Sequence, residues 1–137
     1  LFISLPTTSP LRSILDVKKC IKKYNKKIDA VITFAKTSRN PCFNMIKIND
    51  NDFVELVNKT NKLYSRRQDA PNIYDMTTVC YVTNPKYVLK VKNIFEGKIK
   101  GVEIPNFRSL DIDSKLDFII AKYIYKFSKK FFENNEK

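Results

Sequence analysis

Two charged segments of the chain have residue types that suit the handling of phosphates and metal ions. Arg66-Arg67-Gln68-Asp69 places two guanidinium groups side by side in a polar stretch. Arginine offers fixed, permanently charged donors to phosphate and carboxylate oxygens. In Asp111-Ile112-Asp113 the two carboxylates are two positions apart, which puts them on one side of an extended strand. Because Mg²⁺ prefers such oxygen ligands, we predict anion binding at the first segment and a magnesium site on Asp111 and Asp113.

A second interpretation of the acidic segment stays open. Asp113 or Ser114 could be the N-cap of a final helix, with Asp117 in its first turn. A carboxylate that caps a helix does not easily bind a metal as well. The metal role is favoured because capping gives no reason for the additional carboxylate of Asp111.

A third segment, residues 6–12, joins an apolar run to a helical pattern and contains Thr8, Ser9 and Arg12. In α/β sheets, ligands bind in the crevice outside the carboxyl ends of strands. The alternative is a plain strand–loop–helix junction in which Thr8 and Ser9 only satisfy backbone groups. The position of the segment therefore indicates a binding loop without proving one.

The elements that must position these segments alternate between strands and helices. Ser13 and Asp16 have the spacing of a capping box at the first helix. The last helix is predicted from an apolar stripe at helical spacing: Leu116, Ile119, Ile120, Tyr123, Ile124, Phe127 and Phe131. We predict helices over residues 13–27, 85–93 and 114–132. We predict strands over residues 1–5, 30–35, 45–48, 54–57, 78–82, 98–104 and 110–112. This alternation predicts an α/β fold with a three-layer, mainly parallel sheet in one domain over residues 1–137.

Composition narrows the function classes. The net charge of +12 could indicate nucleic-acid binding, but the excess is mostly lysine on predicted solvated helix faces, so a basic nucleic-acid-binding domain is kept only as a less favoured alternative. The three cysteines are far apart and histidine is absent, which argues against a disulfide framework and a zinc site. No apolar stretch is long enough to cross a bilayer, so we expect no membrane partner. Reduced thiols predict a cytoplasmic protein.

The three segments, in this order, resemble the acylneuraminate cytidylyltransferase family, as do Asn40-Pro41-Cys42-Phe43-Asn44 and the stretch from Tyr74 to Tyr81. The resemblance covers roughly residues 1–125. It implies a nucleotide-diphospho-sugar transferase-like (Rossmann-like) fold. It also implies an enzyme that transfers CMP from CTP to a nonulosonic acid with Mg²⁺ as cofactor, in cell-surface polysaccharide biosynthesis.

The resemblance also implies roles for individual residues. Arg66 and Arg67 would stabilise the transition state. The substrate contacts that match family positions are Thr8, Ser9, Arg12, Asn44, Gln68, Asp69, Thr77, Tyr81 and Phe95. The chain has Thr77-Thr78 where most members carry Asn-Gly for sugar recognition, and it has Pro6 where Gln is common. These departures leave the sugar open, so a Kdo-type or other sugar nucleotidyltransferase on the same fold is the main alternative.

Two further expectations concern what lies outside the three segments. The family's glycine-rich phosphate loop precedes the strand with which this chain begins, and the chain has only Gly97 and Gly101. We therefore expect a fold that is incomplete at its N-terminus and inactive as residues 1–137 alone. The family uses the region of residues 93–105 as an arm that reaches a partner subunit. We expect the same here, as a homodimer, because Ile94, Phe95, Ile99, Val102 and Ile104 look exposed.

Overall fold

The computed structural model describes residues 1–59 and 64–127, which form two compact units. The sheet unit consists of Leu1–Ala35 and the chain from Met76 onward, and the hairpin unit is Lys36–Asp75. In the part of the chain that the structure describes, no helix combines the length and the apolar character needed to cross a membrane.

The elements alternate as the α/β class requires. The strands are β1 Phe2–Ser4, β2 Ala30–Lys36, β3 Ile46–Ile48, β4 Val54–Leu56, β5 Tyr74–Thr83 and β6 Ile99–Glu103. The α-helices are α1 Ile14–Lys23, α2 Pro85–Lys90 and α3 Lys115–Lys126. Short 3₁₀ turns lie at Arg67–Asp69, Ile94–Glu96 and Asn106–Arg108. The predicted strands up to residue 104 and the predicted helices are therefore found, with ends that differ by a few residues.

The main sheet has the strand order β1-β5-β2-β6. β2 and β6 pair in parallel, with Ile32 opposite Gly101. β1 pairs antiparallel with β5, with Ile3 opposite Val82. The sheet is therefore mixed, because β1 and β5 run in opposite directions while β2 and β6 are parallel.

The core of the sheet unit lies between this sheet and α1. Its buried members are Cys20, Ile28, Val31, Val79, Cys80, Val82, Val102 and Ile104. All three cysteines are free and buried. A hydrogen bond with Cys80 raises the pKa of the Cys20 thiol, which leaves that thiol protonated. All three cysteines therefore act as small buried apolar residues.

Gly101 marks a close approach between β6 and β2. A Cβ atom built on Gly101 would lie 2.6 Å from two ring carbons of Phe34. Any side chain at this position would push the ring away, so the glycine leaves room for the Phe34 ring against β6.

Capping boxes set the start of the two longer helices. The Ser13 side chain accepts from the Asp16 amide while the Asp16 side chain accepts from the Ser13 amide. At α3, Ser114 and Asp117 form the same reciprocal pair. The capping box predicted at Ser13 is confirmed, and Ser114 rather than Asp113 is the cap of the final helix.

The structure corrects three sequence predictions. Residues 110–112 are not a strand, because no neighbouring strand pairs with them. Val102 and Ile104 are buried core residues rather than exposed positions of an arm. The apolar stripe of α3 is largely exposed, with Leu116 at 64%. Phe131, the last residue of that predicted stripe, lies outside the described residues.

The hairpin unit is built around β3 and β4, which pair antiparallel. Asp52 has a φ of 62° in the turn between them, a conformation that Asp tolerates better than most residues. Ile46, Ile48 and Val54 share one face and are exposed. Lys47 and Glu55 form an ion pair 3.3 Å long on the other face.

Candidate functional site

The acidic segment contains the least satisfied polar atom in the described residues. Oδ1 of Asp111 is buried and has no hydrogen-bond partner. A buried carboxylate oxygen without a partner is unfavourable, and a cation would satisfy it. Asp111 also lies close to Tyr81. Burial, and then the negative charge of Asp111, raise the pKa of the Tyr81 phenol.

Asp113 lies two residues further on and is exposed. Its backbone amide donates to Oδ2 of Asp117 over 3.2 Å, and Ser114 supplies the helix cap. The cap therefore does not use the Asp113 carboxylate, which removes the objection that one group would need two roles. A groove of about 530 Å³ beside it is lined by Ile112, Asp113, Ser114, Lys115, Phe118 and Ile119.

The donors present fit a magnesium ion. No group of three or more His, Cys, Asp or Glu side chains suited to a metal occurs within residues 1–59 and 64–127. Mg²⁺ sites in nucleotide enzymes commonly use one or two carboxylates plus phosphate oxygens and water. Asp111 and Asp113 supply that number of carboxylates, and Asp111 has the unsatisfied oxygen.

The loop of residues 6–12 is tied to this segment and to β5. The Ile112 amide donates to the Thr8 carbonyl over 2.9 Å. The hydroxyls of Ser9 and Thr78 are 2.6 Å apart, and Ser9 is fully buried. The fold thus brings Thr8, Tyr81 and Asp111 into one region of the sheet unit.

Two of the predicted substrate contacts in the sheet unit have structural bonds. The Arg12 guanidinium donates to the carbonyls of Pro6 and Ser9, and its Nε–O distance to Ser9 is 2.9 Å. Burial lowers the pKa of Arg12. Thr77 is buried, and its hydroxyl donates to Thr33 over 2.8 Å. These bonds close the loop and fix β5 against β2.

The basic segment lies in the hairpin unit and is exposed. Arg66 pairs with Asp69 at 3.6 Å, and Gln68 is exposed between them. The Arg67 guanidinium donates to the Thr37 carbonyl over 2.5 Å. This bond holds Arg67 at the wall of a pocket of about 320 Å³, lined by Lys36, Thr37, Arg67, Asn72, Ile73 and Tyr74. Two cations and no carboxylate line that pocket, so it suits an anion.

The remaining predicted contacts have different environments. Oδ1 of Asn44 accepts from the Asn40 amide over 2.7 Å, so this side chain closes a local turn. Phe95 is 59% exposed in a 3₁₀ turn capped by Asn93. Phe95 is thus available for contact, whereas Asn44 has a structural role of its own.

Sequence reasoning missed a buried ion pair between Asp16 and Arg108. The Arg108 guanidinium makes two bonds to the Asp16 carboxylate, of 2.9 and 3.0 Å. Both side chains are almost fully buried, with 5% and 0% exposure. Asp16 was visible as a capping residue, but its partner is 92 positions away and no local pattern marks Arg108.

Comparison with known proteins gives relatives for most of the chain. No protein-family model matches it. It is 32% identical over 126 residues to "Post-translational flagellin modification protein B" of Campylobacter coli, covering 90% of this chain and 52% of that protein. It is 34% identical over 95 residues to "CMP-N,N'-diacetyllegionaminic acid synthase" of Campylobacter jejuni, covering 69% and 39%. An "N-acylneuraminate cytidylyltransferase" of Streptococcus agalactiae is 27% identical over 119 residues, covering 86% and 28%.

The fold has a solved counterpart. The 4-diphosphocytidyl-2C-methyl-D-erythritol synthase of Anaerococcus prevotii matches with a TM-score of 0.52 and 18% identity, covering 90% of this chain and 57% of that one. The predicted Rossmann-like α/β fold is therefore confirmed. The chain spans about half or less of the length of the three curated relatives. Over most of its own length, this chain is a homologue of the acylneuraminate cytidylyltransferases.

Proposed function

We propose that the protein carrying this chain transfers CMP from CTP to a nonulosonic acid and releases pyrophosphate. The observation that carries the proposal is the buried, unpartnered oxygen of Asp111, in a chain that is similar to proteins named for this chemistry. The pocket of the hairpin unit that is lined by Lys36 and Arg67 supports it, because the acceptor and the nucleotide are both anions.

In the proposed reaction, the oxygen of the sugar's anomeric hydroxyl bonds to the α-phosphorus of CTP and releases its proton to water, and the bond from that phosphorus to pyrophosphate breaks. Asp111 and Asp113 would hold Mg²⁺, which offsets negative charge on the triphosphate. Arg66 and Arg67 would bind anionic oxygens, and Arg67 is prepared for this by its bond to Thr37. Charged donors that are already in place stabilise a transition state without reorganisation.

The sugar is proposed only as a class. A relative with 34% identity is named for N,N'-diacetyllegionaminic acid, and another is named for N-acylneuraminate. Thr77 and Thr78 stand where most family members carry Asn-Gly. Thr77 is buried and Thr78 contacts Ser9, so these two side chains have structural contacts of their own. A Kdo-type acid remains the competing acceptor.

The test is an acceptor and nucleotide panel with the purified protein and Mg²⁺. CTP or UTP is combined in turn with N-acetylneuraminate, N,N'-diacetyllegionaminate and Kdo. Pyrophosphate release and the mass of the product are recorded. We expect a CMP-sugar with CTP and a nine-carbon acid. Preference for Kdo would move the assignment to the alternative, and turnover with UTP alone would refute it.

We also propose a homodimer, supported by the exposed Phe95 ring at 59%. Sedimentation velocity at micromolar concentration is expected to give twice the monomer mass, and Phe95→Ser should shift the protein toward monomer. A monomer at all concentrations would contradict this proposal.

A further inference from the structure

A buried ion pair joins the start of α1 to the approach of the acidic segment. Asp16 lies in the first turn of α1, and Arg108 ends the 3₁₀ turn Asn106–Arg108. Both bonds of the pair involve charged groups removed from water. A pair of this kind gives little net stability compared with apolar residues of similar size, so stability alone is a weak explanation for it.

The relative orientation of the Asp16 carboxylate and the Arg108 guanidinium is fixed by three hydrogen bonds. Nε of Arg108 donates to Oδ2 of Asp16, and Nη2 donates to Oδ1. Oδ2 of Asp16 also accepts from the Ser13 amide over 3.0 Å. The carboxylate is therefore fixed by the helix start, and a bidentate guanidinium can meet it in essentially one orientation.

The consequence falls on Asp111, three residues after Arg108. On its other side, the Ile112 amide is bonded to the Thr8 carbonyl over 2.9 Å. Asp111 is thus held between two anchors, although residues 110–112 belong to no strand. The anchors keep its Oδ1 buried without a partner, a position that an untethered loop would leave for water.

We propose that Asp16 and Arg108 are positioning residues that place the Asp111 carboxylate for metal binding. This inference rests on the proposed function only in taking Mg²⁺ as the metal. Groups that orient a metal ligand typically change metal affinity by about 10- to 100-fold when they are removed. The pair touches neither metal nor substrate, and it acts through the backbone of residues 109–111.

The test uses Arg108→Lys in the full protein, because lysine keeps the charge and loses the fork. Mn²⁺ binding is measured by electron paramagnetic resonance, with Asp111→Asn as the variant that removes the site. We expect the Mn²⁺ dissociation constant of Arg108→Lys to rise about tenfold. The Mg²⁺ concentration for half-maximal CMP transfer should rise by the same factor, while kcat at saturating Mg²⁺ stays within about twofold.

The matched control is Val31→Ala, which removes packing from the core without touching the pair. It should lower Tm and leave the Mn²⁺ dissociation constant unchanged. Equal shifts in the two variants, or none in either, would overturn the inference and leave a purely structural pair. If Arg108→Lys does not fold, Asp16→Asn replaces it, since an amide keeps the shape and one acceptor oxygen.

The two proposals fail separately. A wild-type protein that binds Mn²⁺ through Asp111 but transfers no CMP would refute the proposed function and leave the positioning role intact if Arg108→Lys weakens Mn²⁺ binding. A wild-type protein whose Mn²⁺ binding does not depend on Asp111 would refute the positioning role, whatever its activity.

Discussion

The sheet unit and the hairpin unit hold their candidate functional residues in opposite ways. In the sheet unit, Asp111 is fixed between a buried ion pair and a backbone bond. In the hairpin unit, Arg66 and Arg67 are exposed. The contacts of these two arginines are an ion pair with Asp69 and a bond to a carbonyl.

This difference corresponds to two kinds of recognition. A metal ion needs ligands at set distances, so its carboxylates benefit from rigid support. A flexible anion such as a sugar acid or a triphosphate is recognised by charge, which tolerates side-chain movement. Local unfolding also requires less free energy in regions with few buried contacts. We therefore expect substitutions in the sheet unit to cause large losses of activity or stability, and substitutions in the hairpin unit to cause smaller ones.

The largest effect is expected at the acidic segment. Asp111→Asn and Asp113→Asn should each lower kcat for CMP transfer by about 100-fold, which corresponds to about 3 kcal/mol, because a neutral amide is a poor ligand for Mg²⁺. Circular dichroism should show an unchanged fold. Near-normal turnover of Asp113→Asn at low Mg²⁺ would remove this residue from the proposed metal site.

A pair of stability variants tests the contrast directly. Val31→Ala, in the fully buried core of the sheet unit, should lower the free energy of unfolding by about 2 kcal/mol. Ile48→Ala, at a position that is 66% exposed in the hairpin unit, should change it by less than about 0.5 kcal/mol. Urea titration measures both. A larger effect at Ile48 would mean that the hairpin face is covered in solution.

A smaller effect is expected in the basic segment. Arg67→Lys should lower kcat/KM for the sugar acid about tenfold, about 1.4 kcal/mol of transition-state stabilisation, because lysine cannot keep both the bond to Thr37 and a fork for an anion. Arg66→Lys is the matched comparison, since its contact with Asp69 is a single exposed ion pair at 3.6 Å. Equal losses in the two variants would show that only charge matters in this unit.

The smallest effect concerns the cap of α3. Hydrogen bonds from Ser114, both side chain and backbone, lower the pKa of Asp117. A carboxyl with a lowered folded pKa stabilises the protein above its unfolded pKa, and this contribution disappears as pH falls through the folded value. The Tm difference between wild type and Asp117→Asn should thus be constant at pH values well above the unfolded Asp pKa of about 3.9 and shrink as the pH falls below it. A difference that grows in acid would contradict the capping role.

The sequence was sufficient where the signal is local. The capping box of Ser13 and Asp16 and the strands predicted over residues 30–35 and 54–57 each depend on residues within a few positions, and each is found. Residues 110–112 alternate like a strand, but a strand exists only if a partner lies beside it. That partner is absent, and a single bond from Ile112 to Thr8 takes its place.

The candidate site was predictable to the level of segments. The chemistry of Arg67 and Asp111 follows from their residue types. The contacts that surround each of them in the fold could not be predicted in this way. Thr77 matches a family position, yet its hydroxyl bonds to Thr33 inside the core. The supports of Asp111 come from residues nearly 100 positions away in the chain, and such contacts depend on the whole fold.

The double use of Asp16 has an evolutionary consequence. One carboxylate closes the cap of α1 and receives both bonds from Arg108. Glutamine at this third helical position could close the same capping box, but it would leave a buried guanidinium without a counter-charge. Replacing Arg108 first would leave the carboxylate buried alone, which is equally unfavourable. Replacing either residue alone therefore gives a protein with an unpaired buried charge. We expect the residues at positions 16 and 108 to be inherited together and to change together among relatives.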